Sequence, residues 1–274
     1  MPTRDAGATP LTIQAFTSSE AGAWSNAYLV SGSTEALLFD VFMLHSDAVH
    51  LADTIAKSGK TLKTVMVSHA HPDHFLGLDV IRDRFPQARL VSTANVVADL
   101  QTDGPWMVSM LRSKLGPEAP TRLVVPEALD EFVLRVEGHA LGLREFGEGE
   151  SKHIATLYLE ESRTLLSADV VYHDAHLYLQ ERHLESWLTR LDEFEAFAED
   201  DVTTIYPGHG AAAGLELIAQ TRQYLRDFAA AVKSGDGATA QAQMLAKYPN
   251  HHVRQFLTVF SIPAYFPTAA AGAT

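Results

Sequence analysis

Strand-like and helix-like segments follow one another along the chain in two series, and each series opens with strands. The first series contains strands at 11–17, 26–32 and 36–40, a helix around 46–58, a strand at 64–68, a helix around 75–85, a strand at 89–93 and a helical stretch to about 115. Such a βαβα order predicts a mixed sheet covered by helices.

The second series also begins with strands. Its segments are strands at 131–136, 140–146, 154–159, 164–169 and 202–207, a helix at 183–197 and a further helix through 218–232. Apolar residues recur at helical spacing on both helices, so each has one face that must pack on a sheet. The fold class that satisfies both halves is α/β (α+β), with two sheets between outer helices in a four-layer αββα sandwich.

The composition is that of a globular protein: 46% of the 274 residues are hydrophobic and there is no cysteine. No linker or low-complexity stretch interrupts residues 11–265, so we expect one domain there that includes the C-terminal helices. The ends, 1–10 and 266–274, are expected to be flexible. The absence of cysteine excludes disulfides, thiolate metal sites and a catalytic thiol.

The formal net charge of −13 disfavours partners that carry negative charge, such as nucleic acid and anionic membranes. We therefore expect a small-molecule substrate. No signal peptide or transmembrane segment is recognisable in this sequence, which predicts a cytoplasmic protein. The C-terminal stretch could contribute to a homodimer, an option that the sequence leaves open.

Metal-ligand side chains are concentrated directly after the strand at 64–68. His69, His71, Asp73 and His74 lie within six residues, and Pro72 ends the extended backbone among them. On the extended start of this loop, His69 and His71 point to the same side, because side chains alternate along an extended chain. Three imidazoles and a carboxylate suit borderline metals such as zinc.

One loop cannot complete two coordination shells, so further ligands are expected at other strand ends. His153 precedes the strand at 154–159, Asp169 ends the strand at 164–169, and His209 follows the strand at 202–207. Each alone is weak, because a loop His is usually solvated and an Asp after a strand usually caps a turn. Together with the first cluster they make five His and two Asp.

These motifs, HAHPDH, SAD and PGHG together with His153, resemble those of the metallo-β-lactamase superfamily, whose fold is the αββα sandwich. The resemblance implies that His69, His71 and His153 hold one metal ion. It implies that Asp73, His74 and His209 hold a second and that Asp169 bridges the two. Asp40, at the end of an early strand, matches a residue that supports the ligands without touching metal. The implied cofactors are two zinc ions, although manganese or iron would accept the same ligands.

Two metal ions about 3.5–4 Å apart can hold a bridging hydroxide that is nucleophilic at neutral pH. The resemblance therefore implies a metal-dependent hydrolase in which this hydroxide attacks a carbonyl carbon and Asp73 helps to orient it. No serine or cysteine nucleophile is needed, and no nucleophile elbow is present.

The residue at the bridging position favours some types of scissile bond over others. Asp169 as the bridge resembles the lactonase, thioesterase and phosphodiesterase branches, whereas true β-lactamases of this fold have Cys or Ser there. The leading hypothesis is a small ester or lactone with an apolar part, and the alternative is a thioester. β-Lactam, phosphodiester and nucleic-acid cleavage and mononuclear iron dioxygenase chemistry are disfavoured.

Further residues are candidates for contact with substrate. Tyr172 occupies the position at which lactonases of this fold carry a Tyr that binds the substrate carbonyl; the alternative is an ordinary amphipathic Tyr. Trp24 lies in a small-residue loop that favours a flap, and His173 and His176 could reach the pocket. The helical spacing of Trp106 and its neighbouring methionines favours core packing over a lid.

Overall fold

The computed structural model describes residues 9–267; the ends 1–8 and 268–274, to which most of the predicted flexible termini belong, lie outside the described residues. The strands are β1 Thr12–Thr17, β2 Asn26–Ser31, β3 Glu35–Phe39, β4 Thr61–Met66, β5 Arg89–Ser92, β6 Glu127–Ala128, β7 Val133–Val136, β8 His139–Phe146, β9 Ile154–Leu159, β10 Thr164–Ala168 and β11 Thr204–Pro207. The helices are α1 His45–Lys57, α2 Pro72–Phe75, α3 Leu78–Arg84, α4 Ala94–Leu115, α5 Leu184–Ala198, α6 Glu216–Lys233, α7 Gly237–Lys247 and α8 Ile262–Tyr265, with a π-helical turn at Phe256–Ser261.

The strands form a six-stranded sheet, in the order β1 to β6, and a five-stranded sheet of β7 to β11, as the predicted α/β class requires. By their internal contacts the residues fall into two compact units. The first runs up to Glu145 and includes Ala155–Ser162, and the second contains Phe146–Ile154 and the chain from Arg163 on. The predicted single domain stays a prediction.

Two strand ends in the first unit lie side by side. β1, β2 and β3 are antiparallel neighbours, whereas β3, β4, β5 and β6 are parallel. The parallel strands are connected in turn through α1, through α2 and α3, and through α4. Phe39 at the end of β3 pairs with Met66 at the end of β4. Because parallel strands end at the same edge of a sheet, Asp40 emerges beside the segment that leads into the histidine loop.

Helix α1 shows how the sequence covers this sheet. Its buried residues, Ala48, Leu51, Ala52 and Ile55, recur at spacings of three and four, so they form one apolar stripe. Leu51, Ala52 and Ile55 belong to a buried core cluster that also contains Leu38 of β3 and other strand residues. Apolar burial of this kind stabilises by about 25 cal/mol for each Å² removed from water.

The hairpin of β7 and β8 is closed by two residues in the left-handed region, Glu137 (φ 48°) and Gly138 (φ 89°), as a tight hairpin turn requires. The Glu137 carboxylate accepts hydrogen bonds from the backbone N–H groups of Ser33, Thr34 and Glu35. The hydroxyls of Ser33 and Thr34 also donate to this carboxylate. Together these hydrogen bonds hold the pKa of Glu137 far below its usual range. The turn of one hairpin is thereby fastened to the turn between β2 and β3.

The second unit places two further strand ends together. β10 and β11 are parallel, with α5 as the connection, and Ala168 pairs with Pro207. Asp169 and His209 therefore follow adjacent strand ends. The apolar stripe predicted on α5 is buried, and the indole N–H of Trp187 donates to the carbonyl of Val170 (3.0 Å), which fixes the loop after Asp169.

Helix α4 departs from the sequence expectation. Trp106 is 63% exposed, so the core packing predicted for it is wrong, while Met107 and Met110 pack partly buried against the core. Helical spacing identifies a stripe but not its exact edge, and Trp106 lies just outside. None of the helices in residues 9–267 has the length and apolar character of a membrane-spanning helix.

Candidate metal centre

The segment after β4 leaves the sheet and turns at once into a helix. His71 has an extended backbone (φ −96°, ψ 143°) and Pro72 begins α2, a position at which its missing N–H costs no hydrogen bond. Asp73 and His74 lie on that first turn and are buried, as are His69 and His71. Burial of four polar side chains in one short loop requires specific partners for them.

The three imidazole rings converge within the first unit. The ring centroids of His69 and His71 are 4.8 Å apart, and those of His69 and His74 are 4.3 Å apart. The Nε2 atom of His74 lies 3.5 Å from Oδ2 of Asp73. The sequence prediction that these four side chains form one cluster therefore describes the geometry of the loop.

Asp40 orients two of the imidazoles, that of His74 directly and that of His69 through Ser68. Its carboxylate accepts hydrogen bonds from the backbone N–H of Ser68 (2.7 Å), from the Ser68 hydroxyl (2.7 Å) and from Nδ1 of His74 (3.0 Å). Because Ser68 Oγ gives its single hydrogen to Asp40, it accepts one from Nδ1 of His69 (2.8 Å). Both rings thus carry their proton on Nδ1, which leaves Nε2 with a lone pair that is available to a metal ion.

The environment of Asp40 is extreme in two respects. The side chain is completely buried, and this burial raises the pKa of its carboxyl, against the opposing effect of the hydrogen bonds to His74 and Ser68. Its backbone is in the left-handed region (φ 62°), which Asp tolerates better than most residues. A strained, buried carboxylate that orients histidines is typical of the outer support of a metal site.

A second cluster lies within the second unit, around Asp169. Oδ2 of Asp169 accepts a hydrogen bond from the Tyr172 hydroxyl (2.5 Å) and lies 3.3 Å from Nε2 of His209. The rings of Tyr172 and His209 are stacked, with centroids 4.9 Å apart and an interplanar angle of 12°. Gly208 is required here, because a Cβ at this position would overlap the Asp169 carboxylate.

Glu150 belongs to this second cluster and is not singled out by the sequence. It is 2% exposed, and its Oε1 lies 3.4 Å from the oxygen of the Tyr172 hydroxyl, whose single hydrogen points to Asp169 at the shorter distance. His153, which the sequence predicts as a ligand, lies half-buried just before β9, and its carbonyl accepts a hydrogen bond from Ser151 Oγ (3.1 Å). A Glu in a glycine-rich loop has no distinctive sequence signal, and only its proximity to His153 could have suggested it.

The chemistry of the donor set is consistent with a metal site. Within residues 9–267, the side chains that belong to groups close enough to hold an ion are His69, His71, Asp73, His74, Glu150, Asp169 and His209. Imidazole nitrogens and carboxylate oxygens are ligands of zinc, manganese and iron, so these residues fit the metals expected.

The predicted substrate-contact residues occupy different surroundings. Nδ1 of His173 donates to the carbonyl of Ala211 (2.8 Å), and its backbone N–H donates to the carbonyl of His209 (3.0 Å), so it braces the His209 loop. His176 is fully buried with Nδ1 2.8 Å from the Tyr224 hydroxyl. Burial lowers the pKa of His176 to about 4, which keeps it neutral, and this favours a packing role.

Trp24 is an exposed aromatic residue in the loop between β1 and β2. It is 37% exposed and has a left-handed backbone (φ 54°). The loop around it is held together by Ser18, whose hydroxyl donates to the carbonyl of Gly22 (2.8 Å). The loop is therefore ordered and presents a large apolar side chain to solvent, and the flap stays a prediction.

The comparison with protein families is consistent with these clusters. The model of the metallo-β-lactamase superfamily matches residues 25–209. The chain is 26% identical over 190 residues to the "Lactamase-like protein notP" of Aspergillus sp. (strain MF297-2). That match covers 68% of this chain but only 49% of the relative, so the chain spans about half of that protein.

Solved metallo-β-lactamases share the fold. DIM-1 is 18% identical with a TM-score of 0.62, covering 80% of this chain and 99% of the other. FIM-1 from Pseudomonas aeruginosa, solved in a mono-zinc form, is 18% identical (TM-score 0.59; 80% and 96% covered). The enzyme from Pontibacter korlensis is 17% identical (TM-score 0.59; 80% and 98% covered). Identities this low concern the fold alone, and they confirm the predicted class of two sheets flanked by helices.

Proposed function

This chain belongs to the metallo-β-lactamase superfamily, and from that membership we propose that it is a dinuclear zinc-dependent hydrolase of small esters or lactones with an apolar part. The observation that carries the choice of bond is the buried phenol of Tyr172, hydrogen-bonded to Asp169 at 2.5 Å. When a substrate binds, rotation about the C–O bond of the phenol would turn this single hydrogen from Asp169 towards the substrate carbonyl oxygen.

The ligand assignment follows the superfamily. His69 and His71 would belong to the site of one ion, whereas Asp73, His74 and His209 would hold the other, with Asp169 as the shared ligand. The Nδ1-protonated tautomers of His69 and His74 support this assignment, because they leave Nε2 as the donor. When bound, two such ions lower the pKa of a water ligand and polarise a carbonyl group.

The protein residues supply orientation and a proton donor. Asp40 and Ser68 hold the two imidazoles, so that the ligands need little rearrangement to bind. Asp73 places a carboxylate 3.5 Å from His74 Nε2, where it can orient an attacking water. Tyr172, stacked on His209, is restrained to one ring orientation and presents its hydroxyl at Asp169.

The competing bonds are disfavoured on chemical grounds. Asp169 stands where the resemblance places Cys or Ser in β-lactamases. The net charge of −13 opposes phosphodiester and nucleic-acid substrates. The exposed indole of Trp24 offers an apolar surface that would favour a substrate with an alkyl or aromatic part. A thioester shares the carbonyl chemistry and is the second candidate in the test below.

A substrate panel at fixed zinc concentration tests the proposal. It contains an alkyl γ-lactone, a p-nitrophenyl ester, an acyl thioester, a cephalosporin and bis(p-nitrophenyl) phosphate. We expect kcat/KM for the lactone or ester to exceed the others by at least about tenfold, or about 1.4 kcal/mol of transition-state stabilisation. A preference for the cephalosporin or the phosphodiester would overturn it, as would a single iron per chain in the active protein.

Replacing Tyr172 with Phe tests the role of the phenol. We expect kcat on the lactone to fall by about 100-fold, the size of losing one donor to a developing oxyanion, with little change in KM. Metal content should remain that of the parent. Tyr178→Phe is the matched control, because the Tyr178 hydroxyl contacts Gln180 instead (2.9 Å). An unchanged kcat in Tyr172→Phe would remove the phenol from the mechanism.

A further inference from the structure

We propose that Glu150, rather than His153, is a metal ligand and completes the set that begins with His69 and His71. This assignment rests on the proposed dinuclear site and changes its composition. It departs from the ligand set that the superfamily resemblance implies. Two independent features of the second unit support it: the burial of the carboxylate and its relation to Tyr172.

The burial of Glu150 requires compensation. Glu150 is 2% exposed, whereas Glu148, two residues earlier in the same loop, is exposed and contacts Ser186. A hydrogen bond from the Gly149 N–H to the Ser151 carbonyl (2.9 Å) closes the backbone around Glu150. A carboxylate held this far from water is stabilised by the polar and charged groups around it. A metal ion bound by Glu150 would add the largest local charge to that environment.

A single phenol lies between two buried carboxylates. The Tyr172 hydroxyl is 2.5 Å from Oδ2 of Asp169 and 3.4 Å from Oε1 of Glu150. It has one hydrogen to donate, so it cannot satisfy both carboxylates equally. Like charges so close are unfavourable unless cations lie among them. Since Asp169 is the proposed bridging ligand, the same pair of cations would stabilise Glu150.

His153 is less suited to the role. It is half-buried, and the hydrogen bond from Ser151 to its carbonyl holds its backbone at the end of the loop. Glu150 is among the residues whose ligand atoms are grouped closely enough to hold an ion. A carboxylate oxygen is a harder Lewis base than an imidazole nitrogen. Replacing the imidazole with a carboxylate therefore shifts the metal preference of the site from zinc towards manganese or iron.

Metal binding measured without substrate tests the assignment. The parent, Glu150→Gln, His153→Gln and the same-loop control Glu148→Gln are equilibrated with buffered zinc, and bound metal is measured by mass spectrometry. We expect Glu150→Gln to lose one equivalent, with an affinity at least about 100-fold weaker. The two other variants should retain the parent content. Parent-like binding by Glu150→Gln, or loss of metal in His153→Gln, would overturn the proposal.

Two further measurements separate the possible failures. The cobalt(II)-substituted His153→Gln protein should show the ligand-field bands of the parent, and a changed spectrum would return the role to His153 even if Glu150→Gln fails to fold. In Glu150→His, zinc should compete better against manganese than in the parent. If metal binding behaves as expected while the substrate panel shows no ester or lactone cleavage, only the proposed function fails.

Discussion

Replacing Asp169 with Ala is expected to remove one metal equivalent and most of the hydrolytic activity together. Asp169 is the proposed bridge, and it also accepts the hydrogen bond of Tyr172 and lies 3.3 Å from His209 Nε2. Loss of an outer hydrogen-bond partner already costs about 10- to 100-fold in metal affinity or activity. We therefore expect kcat/KM to fall by more than about 100-fold, beyond the upper end of that range.

Asp169→Asn separates charge from shape in this experiment. Its amide keeps one oxygen that can accept from Tyr172 but supplies no negative charge to share between two cations. We expect nearly the same loss of metal and activity as in Asp169→Ala. Asp174→Asn, at an exposed position five residues later whose left-handed backbone (φ 50°) Asn tolerates, controls for a general disturbance of the loop. Turnover by Asp169→Ala equal to that of the parent, with two metals bound, would show that the bridge is assigned wrongly.

The parts of the site that could be predicted from sequence are those that depend on local geometry. His69 to His74 form a cluster because a strand, an extended loop and Pro72 place them together within six residues. Asp169 and His209 could be predicted because parallel strands end at the same sheet edge, and Ala168 does pair with Pro207. In these cases the covalent spacing and one rule of sheet geometry are sufficient.

Glu150 could not be predicted for a physical reason. Its burial depends on the path of the loop after β8 and on the position of the Tyr172 phenol, 22 residues further along the chain. A single Glu between Gly149 and Ser151 is ordinary in an exposed loop. Only tertiary packing distinguishes it from Glu148, which has the same chemistry and faces solvent.

The boundaries of the helices show the same limit. The sequence predicts one helix around 75–85, whereas the chain forms two short helices, α2 and α3, with Gly77 in the break between them. A Cβ at Gly77 would lie 2.6 Å from the carbonyl oxygen of Phe42 and 2.7 Å from the Cβ of Ala48. The glycine is thus required by close packing against a segment 35 residues earlier, which helical spacing alone cannot reveal.

Replacing Asp40 with Ala is expected to weaken both the fold and the metal site, although Asp40 is not a ligand. The substitution leaves three buried donors, Ser68 N–H, Ser68 Oγ and His74 Nδ1, without the acceptor they share. Each unsatisfied buried donor costs about 1–3 kcal/mol, so we expect the free energy of unfolding of the metal-free protein to fall by about 3 kcal/mol or more. Urea denaturation measures this loss.

Asp40→Asn distinguishes the orienting role from the backbone role. Asn tolerates the left-handed conformation at φ 62°, so the strain that Ala adds there is absent. Its single acceptor oxygen cannot serve all three donors, and His74 loses the carboxylate that sets its tautomer. We expect a smaller loss of stability than in Asp40→Ala but a zinc affinity still about 10- to 100-fold below the parent, measured by chelator competition. If Asp40→Asn binds zinc as tightly as the parent, the orientation of His74 does not depend on this carboxylate.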